Sequence, residues 1–356
     1  MRLPKLLTHH PFFIRLFHWE YWSFTAVYGG IYPLFALLCL RAGGNYFFTA
    51  ANPTIKNGGF LMEPKQDIYP LIPKDYYPAF FYVPVQTAFE KIEADLAQLQ
   101  FRFPLIAKPV IGMQGKAVKK INTKEELQHY ASICTVDFMV QELSPYTKEV
   151  GIFYYRLPGE ANGHITGIVG KEPMTVVGDG VSSLYELILQ VPRYVLQVDA
   201  LKQMYGKDIL QVLKNGEEKI LAPYGNHARG SKFLDWTAKA DAIFTANMDA
   251  VCKQIDGFYY GRLDVMYTDW DDLRQGKNFH IIELNGAGSE PTHIYDPKHS
   301  IFFAWKEIIR HWFILWRISK INHTKGYPYM TLKEGAAMFR SNAAHVKKLD
   351  ALALKL

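Results

Sequence analysis

Two short apolar segments in the C-terminal third, GRLDVM (261–266) and FHIIELNGAG (279–288), constrain this chain more than any other stretch. Both are rich in branched and aromatic residues, and the polar run TDWDDLRQGKN separates them, so the pattern predicts a β-hairpin. Side chains alternate faces along a strand. Arg262 and Asp264 therefore share one face of the first strand, and Glu283 and Asn285 share one face of the second. In a simple hairpin centred on the turn, Asp264 falls opposite Glu283 and Arg262 opposite Asn285. Two carboxylates and an amide oxygen gathered in this way form a hard-oxygen set suited to Mg²⁺ bridging phosphates. A guanidinium beside them can stabilise charge growing on a reacting oxygen. The competing reading is a surface hairpin with solvated charges. It sits poorly with Glu283 wedged among Ile281, Ile282 and Leu284, where an unpaired carboxylate is costly.

The chain has 356 residues, long enough for a substantial core and for two or three domains. It is 49% hydrophobic and 21% charged, a globular composition without a low-complexity tract or repeat. Lys and Arg number 40 against 34 acidic residues, a net charge of +6. That mild excess is far from the concentrated basic face of a nucleic-acid binder, and it suits anionic ligands or an anionic membrane surface. Cys39, Cys134 and Cys252 are widely spaced and odd in number, so no disulfide or metal framework is expected and a reducing cytoplasm is the default.

Residues 21–40 (YWSFTAVYGGIYPLFALLCL) carry no charge, and Arg2, Lys5 and Arg15 precede them. Length and flanking charge permit a membrane span. Gly29, Gly30, Pro33 and the aromatic content favour instead a segment lying in the membrane interface or a buried helical hairpin. No small-residue cleavage site follows, so a removed signal peptide is not expected. A second aromatic and basic stretch, 301–320, either shares that surface or forms a core helix.

Further along, NYFFTAANP (45–53) reads as a strand stopped by Asn52-Pro53, 63–72 as a short helix, AFFYVP (79–84) as a strand and 86–100 as a helix. FPLIAKPV (103–110) opens a new module. A glycine loop, a strand GKAVKKI, and a helix capped by Thr123 and Glu126 follow it. DFMVQEL, EVGIFYYR and HITGIVGKE read as strands, VVGDGVSSL as a turn into a helix, 235–255 as a long helix, and 332–356 as helical. Lys108 ends an apolar strand just ahead of Gly112 and Gly115. A strand lysine followed by a glycine turn brings a point charge and backbone N–H groups close to phosphates. Gln141-Glu142 ends another strand, where backbone atoms can meet an adenine edge.

FPLIAKP with its glycine loop, VQEL, KEVGIFYY, GRLDVM and IIELNGAGSEP occur in an order that resembles the ATP-grasp superfamily. The resemblance covers about residues 100–300, and the hairpin is most similar to the D-alanine–D-alanine ligase branch. VVGDGVSSLYELI and the Asn-His-Ala-Arg-Gly loop look more like the ligases around glutathione and cyanophycin synthesis. The His-Gly-plus-glutamate motif with which the D-alanine branch grips its first amino acid has no counterpart here. The resemblance implies an α/β (α+β) ATP-grasp fold. It comprises an apolar helical segment (1–44), a reduced α/β domain (45–100), an ATP-grasp domain (101–325, lid about 101–170, catalytic part about 171–325) and a helical tail (326–356).

It implies that Lys108, Gly112 and Gly115 meet ATP phosphates, with Lys91 as a second phosphate lysine. Gln141 and Glu142 would then sit at the adenine, and Glu149 near the ribose. Asp264, Glu283 and Asn285 would hold two Mg²⁺ ions, with Mn²⁺ as a substitute, and Arg262 would face the reacting acyl group. The implied reaction joins a carboxylate, an amino acid or peptide, to an amine through an acylphosphate. His227, Arg229 and His293 are substrate-contact candidates, against readings as a solvated basic loop and a capping turn. The implied partners are ATP and small-molecule acid and amine substrates, with membrane contact and a homodimer admitted and no nucleic acid. Cytoplasmic residence at the inner membrane face would fit this set. The alternative function is a non-catalytic or kinase-like nucleotide-binding protein at a membrane surface.

Overall fold

A computed structural model describes residues 9–222, 227 and 230–356; Arg229 lies outside the described residues. Contacts divide the chain into two compact units. The larger comprises residues 34–168, 237–291 and 310–356, and the smaller comprises residues up to 33, 169–236 and 292–309.

The strands of the chain are β1 (Phe80–Val83), β2 (Leu105–Pro109), β3 (Lys119–Ile121), β4 (Phe138–Glu142), β5 (Lys148–Tyr155) and β6 (His164–Glu172). Then come β7 (Met174–Val177), β8 (Glu218–Ala222), β9 (Lys232–Asp235), β10 (Tyr260–Tyr267) and β11 (Phe279–Asn285). In the larger unit, β1-β4-β2-β3 form one antiparallel sheet, so the strand of 45–100 and those of the following module share a single sheet. A second sheet runs β11-β10-β5-β6. The mixture of helices with antiparallel sheets is the α+β arrangement that the resemblance implied.

Helices Phe89–Gln98 and Lys124–Ile133 close one face of the first sheet, burying Ile92, Leu96, Leu127 and Tyr130 against Leu105, Ala107, Ile121 and Val140. Thr123 caps the second of these helices, its hydroxyl accepting from the Glu126 N–H at 3.3 Å, while the Glu126 carboxylate accepts from the Asn122 N–H at 2.7 Å. The C-terminal helix Leu332–Ala353 completes this core with Leu349 and Leu352. A separate core joins Leu38, Phe47, Phe48, Phe153, Tyr260, Leu315 and Ile318.

Two expectations are corrected, and a third is narrowed. Residues 45–53 do not make a strand: Phe47–Ala50 is a 3-10 turn whose aromatic rings go into the core, so the apolar run marks burial rather than extension. The long helix expected over 235–255 begins only at Ala242, because the Asp241 carboxylate accepts from the Phe244 N–H at 2.8 Å and fixes the start there. The apolar stretch 21–40 is broken into Phe24–Tyr28 and Tyr32–Ala42, and no helix among the described residues is long and apolar enough to cross a membrane.

Asn52, read from the sequence as a turn residue, is fully buried and acts as a fastener. Its amide oxygen accepts from the Tyr259 and Tyr260 N–H groups, and its nitrogen donates to the Gly58 and Tyr260 carbonyls, all at 2.8–3.0 Å. The loop it ties down meets the end of β11 closely. Ala287 and Gly288 N–H groups donate to the Gly58 and Gly59 carbonyls at 2.9 Å, and a Cβ on Gly59 would lie 2.6 Å from Gly286 Cα. Glycine is required on both sides of that approach.

In the smaller unit the second half of β6 pairs with β9, and β7 pairs with β8 over a core of Met174, Leu184, Ile188, Leu201 and Leu221. The helix expected after VVGDGVSSL starts at Leu184 with a reciprocal Ser183–Glu186 capping box.

Candidate active site

β10 and β11 pair antiparallel with Arg262 opposite Asn285 and Asp264 opposite Glu283, the register that alternation and turn position predicted. One feature departs from a simple hairpin. The register shifts after Asp264, so that Val265 meets Ile281 and Ile282 is the extra residue. A bulge releases its carbonyl from the ladder. That oxygen instead accepts from the Tyr69 hydroxyl at 2.5 Å and from Lys108 Nζ at 3.4 Å.

Lys108 is thereby the link between the two sheets of the larger unit. It leaves β2, is 6% exposed, and also donates to Gln141 Oε1 at 2.7 Å and the Tyr69 hydroxyl at 2.8 Å. Burial, together with the nearby Lys65 ammonium, pulls its amine down to about 7, and Glu283 opposes only part of that. On the hairpin, Arg262 grips Asp264 with two parallel bonds, Nε and Nη2 to the two carboxylate oxygens at 3.0 Å each. Its Nη1 donates to the Glu290 carbonyl at 3.4 Å, and the Asn285 amide donates to Asp264 at 3.3 Å.

Glu283 is held by Lys65, whose Nζ lies 2.8 Å from Oε1. Burial alone would raise the Glu283 pKa, but Lys65, with Arg262 and Lys108 behind it, keeps the carboxyl below its ordinary value. Nothing in the sequence around Lys65 marks it as a site residue. It sits on the short helix Lys65–Ile68, and its own N–H donates to the Val110 carbonyl at 2.9 Å. Beyond it, Tyr69 packs against Phe80 of β1 at 4.9 Å between ring centroids, and Tyr76 stacks on Phe279 of β11 at 5.1 Å. The segment 63–77 therefore fills the space between the two sheets.

What stays open there is a cleft of about 50 Å³, lined by Glu63, Lys65, Gly112, Glu283, Asn285 and His345 among others. Glu63 Oε2 is buried in it without a hydrogen-bond partner, and burial raises that carboxyl. A second, more open cavity of about 440 Å³ lies beyond the end of β4, lined by Arg102, Glu142, Leu143 and His280.

The hairpin donors fit a divalent cation in kind. Asp264, Glu283 and Asn285 offer hard oxygens from adjacent strands, and the carboxylates pair with Arg262 and Lys65. Among the described residues no cluster of three or more His, Cys, Asp or Glu side chains forms a metal site, so an ion here would rest on two carboxylates and an amide.

No family model matches the chain. The glutathione biosynthesis bifunctional protein of Clostridium perfringens is 23% identical over 150 residues, which is 38% of this chain and 19% of that protein. A bifunctional glutathione synthetase from Pasteurella multocida is similar in structure, with 17% identity, a TM-score of 0.39, and 72% of this chain aligned to 38% of that one. For D-alanine–D-alanine ligase from Bacillus anthracis the values are 12%, 0.40, 74% and 69%; for D-Ala:D-Ser ligase from Enterococcus faecalis they are 14%, 0.42, 71% and 61%. The chain spans less than a fifth of the Clostridium protein and well under half of the Pasteurella synthetase.

Of the remaining residues expected at an ATP-grasp site, Gln141 turns its side chain to Lys108 and the Pro78 carbonyl. Glu142 is exposed, and Glu149, on β5, stands opposite Met266 of β10. Gly112 borders the cleft, where a Cβ would meet Lys65 Nζ at 3.1 Å, and Gly115 has a positive φ of 71° in the same loop. Lys91 is not among the cleft residues; it is exposed on its helix and pairs with Asp95 at 2.5 Å. His227 and His293 belong to the smaller unit. There His227 Nε2 lies 2.9 Å from Glu20, and the buried His293 lies 3.4 Å from Glu307.

Proposed function

We propose that this chain is an ATP-grasp ligase that joins a carboxylate to an amine, releasing ADP and phosphate. The observation that carries the reading is the meeting of Lys108 from β2 with the bulged β11, directly beside Asp264, Glu283, Asn285 and Arg262. A lysine from one sheet facing a carboxylate–amide–arginine set on the other is the arrangement that transfer of a phosphoryl group to a carboxylate needs.

Lys108 supplies positive charge to the triphosphate, and the amides around Gly112 and Gly115 approach it closely. Asp264, Glu283 and Asn285 would hold Mg²⁺, which would supply positive charge against the phosphate oxygens. The carboxylate substrate is activated as an acylphosphate, and the amine then displaces phosphate from it. Arg262, always charged, holds the oxygen on which negative charge grows. The adenine would lie along the backbone of 141–143, where the larger cavity opens. An amino acid or peptide as the acid is consistent with the 23% identity to the glutathione protein.

In this reading the 63–77 segment is a displaceable occupant of the nucleotide cleft. Ligand sites for molecules of this size run to about 300–1,000 Å³, so the segment has to move before ATP enters. Tyr69→Ala removes the ring and its bonds to Ile282 and Lys108. ATP affinity then rises about tenfold, because the binding-competent arrangement becomes more populated. Calorimetric titration checks this, and weaker binding would mean that Tyr69 supports the site instead.

A non-catalytic reading draws on the same filled cleft. The decisive experiment is ADP release with Mg²⁺ across pairs of amino acids and short peptides, followed by product mass. ADP that requires both an acid and an amine supports the ligase. ADP that requires only one supports a kinase-like protein, and none with any pair supports a binder.

A further inference from the structure

The smaller unit presents a surface that the ligase reading leaves unused. Phe12 is 60% exposed, Phe17 67%, Phe24 61% and, at the start of the helix Ile301–Thr324, Phe302 72%. Leu16 and Tyr32 are exposed with them. Single exposed apolar residues are ordinary, whereas a connected group calls for an explanation. Internal contacts connect these. Trp22 Nε1 donates to the Leu16 carbonyl at 3.3 Å, and Phe24 stacks on Tyr28 at 4.3 Å. Trp305 Nε1 donates to the Val27 carbonyl at 2.7 Å and meets Phe302 edge-on at 5.7 Å.

Charge narrows the choice of partner. Between His9 and Pro33 the only acidic residue is Glu20, and its carboxylate is turned inward to Arg193 at 2.7 Å and His227 at 2.9 Å. Arg15 and Lys306 are exposed, each within four residues of an exposed phenylalanine in the chain. The face is thus apolar and cationic. Hydrogen bonding narrows the choice again. Trp19, Trp22 and Trp305 all give their indole N–H to backbone carbonyls of the same unit, so their rings can leave water without losing a bond. No helix among the described residues is long and apolar enough to cross a bilayer, and an apolar, cationic face with satisfied indole N–H groups has the composition of a surface that lies in a membrane interface.

We propose that this face docks the protein onto a bilayer containing anionic lipids. The aromatic side chains enter the boundary between headgroups and acyl chains, and Arg15 and Lys306 meet lipid phosphates.

Flotation of the full chain with phosphatidylcholine vesicles, with and without added phosphatidylglycerol, tests this. The protein floats with the anionic vesicles, and rising salt lowers the bound fraction as Arg15 and Lys306 are screened. Phe12→Ser, Phe17→Ser and Phe24→Ser combined lower partitioning about 100-fold while leaving the thermal midpoint unchanged, since those side chains bury little surface. Arg15→Glu with Lys306→Glu, which touches no apolar residue, abolishes the preference for the anionic vesicles. Failure to float with either vesicle, or a triple variant that floats like the wild type, overturns the proposal. Self-association that the triple variant loses, without vesicle binding, also overturns it and assigns the face to a second copy of the chain.

Discussion

Arg262→Ala leaves ATP binding near the wild-type value and lowers turnover about 100- to 1,000-fold, the usual cost of removing a donor aimed at a developing oxyanion. The arginine has five N–H donors. Two are committed to Asp264 and one to the Glu290 carbonyl, which leaves two free to meet a reacting oxygen. Asp264 thus fixes the guanidinium plane without consuming its capacity. Arg262→Lys keeps the charge but cannot span both Asp264 oxygens, so it recovers only part of the rate. The comparison uses the acid–amine pair giving most ADP, with ATP affinity measured separately by calorimetry. Alanine turnover within about threefold of wild type, against the loss expected for an oxyanion donor, removes Arg262 from the chemistry.

Glu283→Gln abolishes Mg²⁺-dependent nucleotide turnover, a loss on the order of 1,000-fold that added Mg²⁺ does not restore. The amide keeps the size and polarity of the side chain, so the test isolates its charge. The substitution also strips Lys65 of its 2.8 Å partner, and a direct metal titration therefore accompanies the rate measurement. Loss of both metal affinity and rate assigns the carboxylate to the ion. Unchanged metal affinity with a lost rate would assign Glu283 to the placement of Lys65. An unchanged Mg²⁺ requirement in both assays would remove it from the site.

The hairpin was legible because two independent signals agreed, the alternation in GRLDVM and IIELN and the polar turn between them; the expected Asp264–Glu283 pairing is met, although counted from Tyr267–Phe279 it depends on the bulge at Ile282. Lys108 was legible as a strand-end lysine before a glycine loop. Lys65 and Tyr69 were not, because an isolated lysine and tyrosine in a weakly periodic stretch carry no local mark of the sheets they will meet. The bulge at Ile282 is equally silent, since nothing in an apolar run shows which residue leaves the ladder. The strand expected at 45–53 failed for a related reason. An aromatic cluster reads alike whether it is extended or wound into a turn, and the packing of Phe47 and Phe48 decides between them.

The sheet that carries Lys108 is finished by Leu349 and Leu352, which reach it from the far end of the sequence. The same helix sends the His345 ring to the Ile111 carbonyl at 2.7 Å, next to the glycine loop. Contacts so distant along the polypeptide form late, because a large loop must close before they repay its entropy. During synthesis β2 and β4 therefore emerge well before the helix Leu332–Ala353 that covers them, and the apolar face of their sheet stays uncovered until that helix docks. Nascent chains lacking that helix are the species in which chaperone dependence and aggregation would concentrate.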